Sequence, residues 1–365
     1  TWPRVWPDLS IRLEAPGLGL GGGPRDNSLS LGAVARRIDG EWWLAPMPDH
    51  AGRLSVPTLG LEARGLLLTG RAALPLDLDL RAASLRLPWL APSALSAKLR
   101  GDPAGDLRLE WQAATADGDA RLSGGLDLDA GGGHLVARLA PVRLNPGDAQ
   151  RLFPGAPLPA GFTGTIAGRA TAGWTGDAVD GSAELMLENA GITLPGLRLA
   201  GVNGVLRFDR LSPLSMPQQT LSIGLFDPGL TLTGGGLGLS LPGDGVLRLA
   251  PEPFLWAGQR VTFPSLSFRM GNKYLDMILN VPPTPLAEAL PALGVTGLAA
   301  QGTLTGSIPV RIDAGGAHPG PGTLPAVGPG RLALTDIGSP PWLDPARNDS
   351  LALVTRALAD YRYTA

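Results

Sequence analysis

Aliphatic and polar residues alternate along most of this 365-residue chain. A period of two places successive side chains on opposite faces of a β-strand. One face of each segment is then aliphatic and the other carries Asp, Arg, Thr or Ser, which is typical of an antiparallel sheet with one face in water. The clearest segments are residues 76–81, 107–111, 126–129, 230–241 and 303–312.

Turn sequences separate these predicted strands at intervals of about ten residues. They include Asp117-Gly118 and glycine-rich turns at 131–133 and 242–245. Short helices are predicted at 145–153, where Pro146 precedes an acidic first turn, and at 285–290. Two more are predicted at 88–99 and, behind the cap at 348–350, at 351–361. The Gly/Pro-rich stretch 315–330 predicts a loop.

The chain repeats part of its own sequence. Gly164-Thr165-Ile166 with Gly168 recurs as Gly302-Thr303-Leu304 with Gly306, and 302 − 164 = 138. Pro57 and Pro195 share this offset, since 195 − 57 = 138. Two anchors at one offset predict two copies of a β unit, at 55–192 and 193–309. A partial β unit at 1–54 precedes them, and a loop, strands and a short helix at 310–365 follow.

Composition supports a folded β protein and narrows its partners. Hydrophobic residues make up 44% of the chain, so an apolar interior is expected despite 52 glycines and 36 prolines. The net charge is −2 with both signs spread evenly, so the sequence offers no basic stripe for nucleic-acid phosphates, and nucleic acid is not an expected partner. The chain contains no cysteine, which excludes disulfides and thiolate metal sites.

The ends of the chain predict a fragment of a longer protein. The sequence opens Thr1-Trp2-Pro3, without an initiator Met or a signal peptide, and its last residues also look cut. It contains no run of about 18 apolar residues that would cross a membrane as a helix.

Candidate chemical motifs are weak. Residues 17–22 fit G-x-G-x-x-G, but Gly23-Pro24 predicts a turn where a dinucleotide site needs a helix. Asp127 and Asp129 are interpreted as solvent-side residues at a hairpin turn rather than calcium ligands, because further acids are lacking. No Ser, His and acid grouping or histidine cluster is visible. We therefore predict no enzyme activity, no catalytic residue, no metal site and no cofactor.

The C-terminal half resembles a known family. The resemblance, clearest from 190 to 363, depends on residues 206–209, 211–219, 221–224, 230–235, 256–258, 302–310 and 348–351. These stretches are similar to the YdbH-type branch of the AsmA-like proteins of the Gram-negative cell envelope. The resemblance implies a protein anchored in the inner membrane, through a segment absent from this chain, that crosses the periplasm as an elongated β-groove. It also implies phospholipid transfer between the inner and outer membranes and a small outer-membrane lipoprotein partner, joined by strand addition.

The residues favour the same function by their own chemistry. We predict a mostly β fold, an elongated and curled antiparallel sheet that forms a hydrophobic groove, with a few short helices. Each methylene exposed to water costs about 0.8 kcal/mol, so two acyl chains of about 15 methylenes present roughly 20 kcal/mol that an aliphatic lining would remove. Candidate lining residues are Leu232, Leu239, Leu304, Ile308 and Val310.

Two alternatives stay open. The same five residues could be ordinary core residues of a structural β-solenoid or sandwich that is fully packed and binds no ligand. The nine tryptophans, of which only Trp42 and Trp43 are adjacent, leave a carbohydrate-binding or carbohydrate-acting protein as the other alternative.

Overall fold

The computed structural model of the chain describes residues 9–18, 27–47, 52–56, 61–88, 90–102, 105–129, 131–155, 158–159, 161–175, 178–269, 271–295, 297–334 and 361–364. The described residues form two short helices, α1 (Asp148–Leu152) and α2 (Leu286–Ala292). Their strands are β1 (Leu9–Leu18), β2 (Asn27–Ile38), β3 (Glu41–Pro46), β4 (Gly52–Val56), β5 (Leu61–Arg71), β6 (Leu76–Leu87), β7 (Leu90–Gly101), β8 (Leu107–Thr115), β9 (Arg121–Leu128), β10 (Gly132–Leu144), β11 (Phe162–Thr175), β12 (Ala178–Leu194), β13 (Leu197–Phe208), β14 (Arg210–Leu211), β15 (Leu214–Asp227), β16 (Leu232–Leu241), β17 (Val246–Pro251), β18 (Phe254–Trp256), β19 (Gln259–Val261), β20 (Leu266–Arg269), β21 (Tyr274–Pro285), β22 (Leu298–Gln301), β23 (Thr303–Asp313), β24 (Gly316–Pro319), β25 (Gly330–Leu334) and β26 (Tyr361–Tyr363).

The predicted fold class is confirmed. The protein is mostly β. Strands β1–β20 form one large curled antiparallel sheet, and the remaining strands form two three-stranded sheets, β21-β23-β24 and β22-β25-β26. The hydrophobic groove and the elongation stay predictions. The chain divides into two compact units, one of residues 1–190 with 205–216 and the other of residues 191–204 with 217–365.

The first unit contains a run of antiparallel neighbours from β5 to β11. Each strand pairs with the next along most of its length, as the period-two alternation predicts. The ladder shifts by one residue in three places, between Ala82 and Leu85, between Leu85 and Leu87, and between Leu139 and Val142. Such bulges bend a strand while they keep its aliphatic side chains on one face.

Helix α1 lies along one margin of this sheet. It belongs to the connection between β10 and β11, yet it packs against β7, which is three strands away from β10. The connection must therefore cross the ends of β8 and β9. Ala149 and Leu152 of α1 are buried, as are Leu90 and Leu144 at the adjoining strand ends, so this margin is closed by apolar packing.

The second unit has a packed apolar core. The rings of Phe226, Phe254 and Phe263 lie within 5.8–6.0 Å of one another, centroid to centroid. Leu232 and Val261 are 0% exposed. Strand β21 pairs with β23, and α2 separates β21 from β22.

Elements recur at the predicted offset of 138 residues. Strand β4 ends at Val56 and β12 at Leu194, and 194 − 56 = 138. Helix α1 begins at Asp148 and α2 at Leu286, and 286 − 148 = 138. Gly164 and Gly302 both have positive φ, 116° and 124°. The extents of the two copies stay a prediction, and Pro57 lies outside the described residues.

Three local predictions need correction. The helix predicted at 88–99 is wrong, because Leu90–Gly101 is strand β7; pairing with β6 and β8 on both sides outweighs the local helix preference of its Ala, Leu and Lys residues. The loop predicted at 315–330 contains β24 and the first residue of β25. Tyr361 begins β26 rather than ending a helix, and the rest of that predicted helix lies outside the described residues.

Candidate functional site

The register of β6–β11 assembles aliphatic side chains into continuous rows. Side chains directly opposite one another in neighbouring strands lie on one face, about 4.5–5.5 Å apart at Cβ. We call this side of β6–β11 the aliphatic face. Its central row is Leu78, Leu99, Leu109, Leu126, Leu135 and Ala172. The row beside it is Leu80, Ala97, Trp111, Gly124, Ala137 and Ala170, and the next is Ala82, Leu95, Ala113, Leu122, Leu139 and Gly168.

The aliphatic face is incompletely covered. Leu99, Leu109, Leu126 and Leu135 are only half-buried, although each has an aliphatic neighbour on both sides. The leucines next to α1 are buried, with Leu144 and Leu152 each 1% exposed. The middle of the face is therefore partly exposed, whereas its α1 margin is closed.

Two tryptophans lie flat on this face because glycines stand opposite them. Trp111 pairs with Gly124, and a Cβ added to Gly124 would come within 2.6 Å of the indole ring. Trp174 pairs with Gly133 in the same way, at 2.4 Å. An indole over a glycine covers the backbone without projecting beyond the neighbouring leucine side chains, so the surface of the aliphatic face stays even.

Ion pairs hold α1 to the β8–β9 turn. Arg151 bonds to Asp117, to Asp119 at 2.8 Å and to Asp148 at 3.3 Å. The hydroxyl of Thr115 donates to Asp117 at 2.6 Å. This bond, the backbone N–H of Asp119 and Arg151 together lower the pKa of Asp117 to about 2. The hydrogen bond to Asp119 is the largest of several that raise the pKa of Arg151, so both groups stay charged near neutral pH.

The opposite side of β6–β11, which we call the charged face, carries cavities. One of about 610 Å³ is lined mainly by polar residues, including Arg81, Lys98, Arg138 and Arg169. A second, of about 810 Å³, adjoins it and is lined largely by alanines and Leu67. Two carboxylates of this face form ion pairs, in Arg108–Asp127 at 2.7 Å and Lys98–Asp77 at 3.4 Å.

The five predicted lining residues lie in the second unit. Leu232 and Leu239 belong to β16, while Leu304, Ile308 and Val310 belong to one side of β23. Leu232, Leu239, Leu304 and Val310 are buried and Ile308 is half-buried. Side chains this buried contact protein atoms in the present structure, and their role as a lipid lining stays a prediction.

The half-buried leucines of β7–β10 were not singled out from the sequence. Their strands were predicted from the Leu-Arg and Leu-Asp alternation, but alternation alone does not separate an open face from a packed one. Between β9 and β10, Asp129 accepts the backbone N–H groups of Gly131 and Gly132 at 2.8 and 2.7 Å. This local role accounts for Asp129 without a cation.

Other candidate sites gain little from the structure. Trp42 and Trp43 are both exposed but, as neighbours in β3, they point to opposite faces and do not form one sugar platform. Within the described ranges no three His, Asp or Glu side chains gather as a metal site. A search of the same ranges finds no helix with the length and apolarity that a membrane crossing requires. Of the 17–22 motif only Gly17 and Leu18, the end of β1, are described.

Comparison with known proteins gives one match. The family model described as YdbH-like, intermembrane phospholipid transport protein YdbH, matches residues 9–365, nearly the whole chain. No curated protein and no solved structure matches.

Proposed function

The chain belongs to the YdbH-like family of intermembrane phospholipid transport proteins, and from that premise we propose that its aliphatic face binds phospholipid acyl chains in transit. The family is a lipid transport family and not an enzyme family. The observation that carries the proposal is the set of in-register leucine rows that are half-buried rather than packed.

The dimensions of the aliphatic face suit acyl chains. Neighbouring strands lie about 4.8 Å apart, so a row across the six strands β6–β11 is about 24 Å long. One leaflet of a bilayer core is about 15 Å thick, which is the length that an acyl chain fills. Successive rows are about 7 Å apart along the strands, which leaves room for two chains side by side.

The chemistry of the face favours sliding over tight binding. Leucine and alanine bind by area and offer no directional contact that would hold a chain at one position. A face that covers half of each methylene offsets roughly half of the 20 kcal/mol that two exposed acyl chains cost in water. The headgroup would stay in solvent while the acyl chains lie on the face.

We propose a bridge-like route built from such faces. Lipid would pass along an apolar groove that spans the periplasm of a Gram-negative envelope, from the inner to the outer membrane. The full-length protein would be anchored in the inner membrane by a segment that is not part of this chain. A small outer-membrane lipoprotein would bind the outer end of the groove by strand addition.

A second candidate is supported for part of the chain. The phenylalanine cluster and the fully buried Leu232 show that residues 217–263 include a packed core. This observation favours a structural β module there, with lipid contact restricted to the first unit.

Lipid analysis of the purified chain tests the proposal. We expect organic extraction and mass spectrometry to recover phospholipid, and the delipidated chain to take up phospholipid from vesicles. Repeated preparations that contain no phospholipid, together with no uptake from vesicles, would overturn the proposal. Uptake abolished by Leu109→Asp but retained by His134→Asp, an exposed residue on the charged face of β10, would locate the binding face.

A further inference from the structure

We propose that the charged face of β6–β11 contains a phosphate-binding site centred on Arg138 and Arg169. These two residues stand directly opposite each other in β10 and β11. Like charges in such a pair repel, which destabilises the sheet unless something offsets the charge. Neither guanidinium makes an ion pair or a side-chain hydrogen bond with any residue that the structure describes.

The register extends this pair into a row of hydrogen-bond donors. Arg138 is opposite Ser123, which is followed across the strands by Gln112, Ser96 and Arg81. We call these six residues the arginine row. It contains three guanidinium groups, two hydroxyls and an amide, and no carboxylate.

The arginine row borders a cavity of suitable size. All six residues line the cavity of about 610 Å³, together with Lys98 and the carboxylates of Asp79 and Glu110. Four cationic and two anionic side chains give the lining a net charge of +2, whereas the whole chain has a net charge of −2. Lys98 is directly opposite both Asp79 and Glu110. Its charge and the three guanidinium charges together exceed the charge of the two carboxylates, so the row lies in a net positive cavity.

Phosphate is the group that this chemistry recognises. Guanidinium groups bind phosphate oxygens in a bidentate manner, and hydroxyl and amide donors complete the coordination. The site is on the opposite face of the sheet from the aliphatic rows, so it does not depend on acyl-chain binding there.

The neighbouring cavity bears on the source of the phosphate. It has a volume of about 810 Å³, shares Arg81, Ser96, Gln112 and Ser123 with the first cavity, and adds Leu67 and alanines such as Ala94. A phosphate ester with a short alkyl chain could place its phosphate in the row and its chain on the alanines. Free phosphate would use the row alone.

Matched double variants test the site. Phosphate binding is measured by calorimetry on the whole chain, with sodium chloride at equal ionic strength as the reference. We expect Arg138→Gln with Arg169→Gln to weaken phosphate binding by about tenfold or more. The control is Arg100→Gln with Arg108→Gln, an opposed arginine pair on the same face whose members have Asp77 and Asp127 as partners, and it should change binding by less than about twofold.

Each outcome of the binding measurements supports or overturns the phosphate site, and two of them identify its ligand. No phosphate signal above chloride in the unaltered chain, or an equal loss in the control variant, would overturn the site. Hexyl phosphate binding about tenfold more tightly than inorganic phosphate would support the site and assign a lipid-like ester as its source. Equal binding of the two would support the site with free phosphate as ligand. Phosphate binding unchanged by Leu109→Asp would separate this site from the proposed lipid face.

Discussion

Substitution of Leu109 by Asp separates an open lipid face from a packed core. Leu109 lies at the centre of the aliphatic face, between Leu99 and Leu126, and is half-buried. Full burial of a leucine contributes roughly 1.5–3 kcal/mol, so Leu109→Asp should lower the free energy of unfolding by only about 1 kcal/mol. Leu232 is 0% exposed, and a carboxylate there should cost more than about 4 kcal/mol.

The effect of Leu109→Asp on lipid binding should exceed its effect on folding. A carboxylate in the central row removes contact with about three methylenes, which at 0.8 kcal/mol each is about 2 kcal/mol. Binding of an acyl chain should therefore weaken roughly thirtyfold. Gln112→Asp places the same charge on the charged face of the same strand and should leave acyl binding unchanged.

The stability of Leu109→Asp, Gln112→Asp and Leu232→Asp is measured by urea denaturation, monitored by circular dichroism. Acyl binding is measured by displacement of a fluorescent fatty acid. Comparable destabilisation by Leu109→Asp and Leu232→Asp would show that the leucine rows are packed core. Acyl binding that is equally weakened by Gln112→Asp would show that the aliphatic face is not the binding surface.

Three further predictions concern local packing and ionisation, two at the site and one in the second unit. Gly124→Ala should destabilise the protein by about 1–3 kcal/mol, because the new Cβ would lie 2.1 Å from the carbonyl oxygen of Val136 and 2.6 Å from the indole of Trp111, and the second contact should change tryptophan fluorescence. Gly125→Ala is its control, with the nearest atom at 3.9 Å, and equal effects would refute the stacking. The pKa of Asp117 falls from 3.8 to about 2 on folding, so its contribution to stability is complete above about pH 4 and is lost as the pH falls towards 2. Asp117→Asn should remove this loss of stability between about pH 4 and pH 2 from the acid unfolding curve measured by circular dichroism. An unchanged curve would refute the stabilising role of the Asp117 carboxylate. The buried hydroxyl of Tyr363 has no partner among the described residues, so Tyr363→Phe should not lower the melting temperature, whereas Gly330→Ala should, because its Cβ would lie 2.1 Å from that hydroxyl oxygen. A loss of stability in Tyr363→Phe would contradict this account.

The sequence predicted where the strands lie better than it predicted which strands pair with one another. The alternation in 76–81 and 107–111 identified β6 and β8, because the period of a half-buried strand is local information. The helix predicted at 88–99 failed because β7 is specified by pairing with strands on both sides, and pairing energy is not visible in a single segment.

Both candidate sites depend on register, which the sequence does not display. Arg81, Arg138 and Arg169 are separated by up to 88 positions (169 − 81), so the charges look evenly spread along the chain. Antiparallel pairing collects them in one row. Leu109 and Leu232 likewise have similar local sequences, and only the surrounding strands make one half-buried and the other fully buried.

Site-specific photocrosslinking shows whether phospholipid lies on the aliphatic face. A photoreactive residue is placed at Leu99, Leu109 or Leu126 on the aliphatic face, at His134 on the charged face outside the arginine row, and at Leu232 in the packed core. After irradiation of the chain in cells, mass spectrometry should detect phospholipid attached at the three aliphatic-face positions and not at His134 or Leu232. Phospholipid absent from all three positions, or attached equally at His134, would show that the aliphatic face does not carry the lipid.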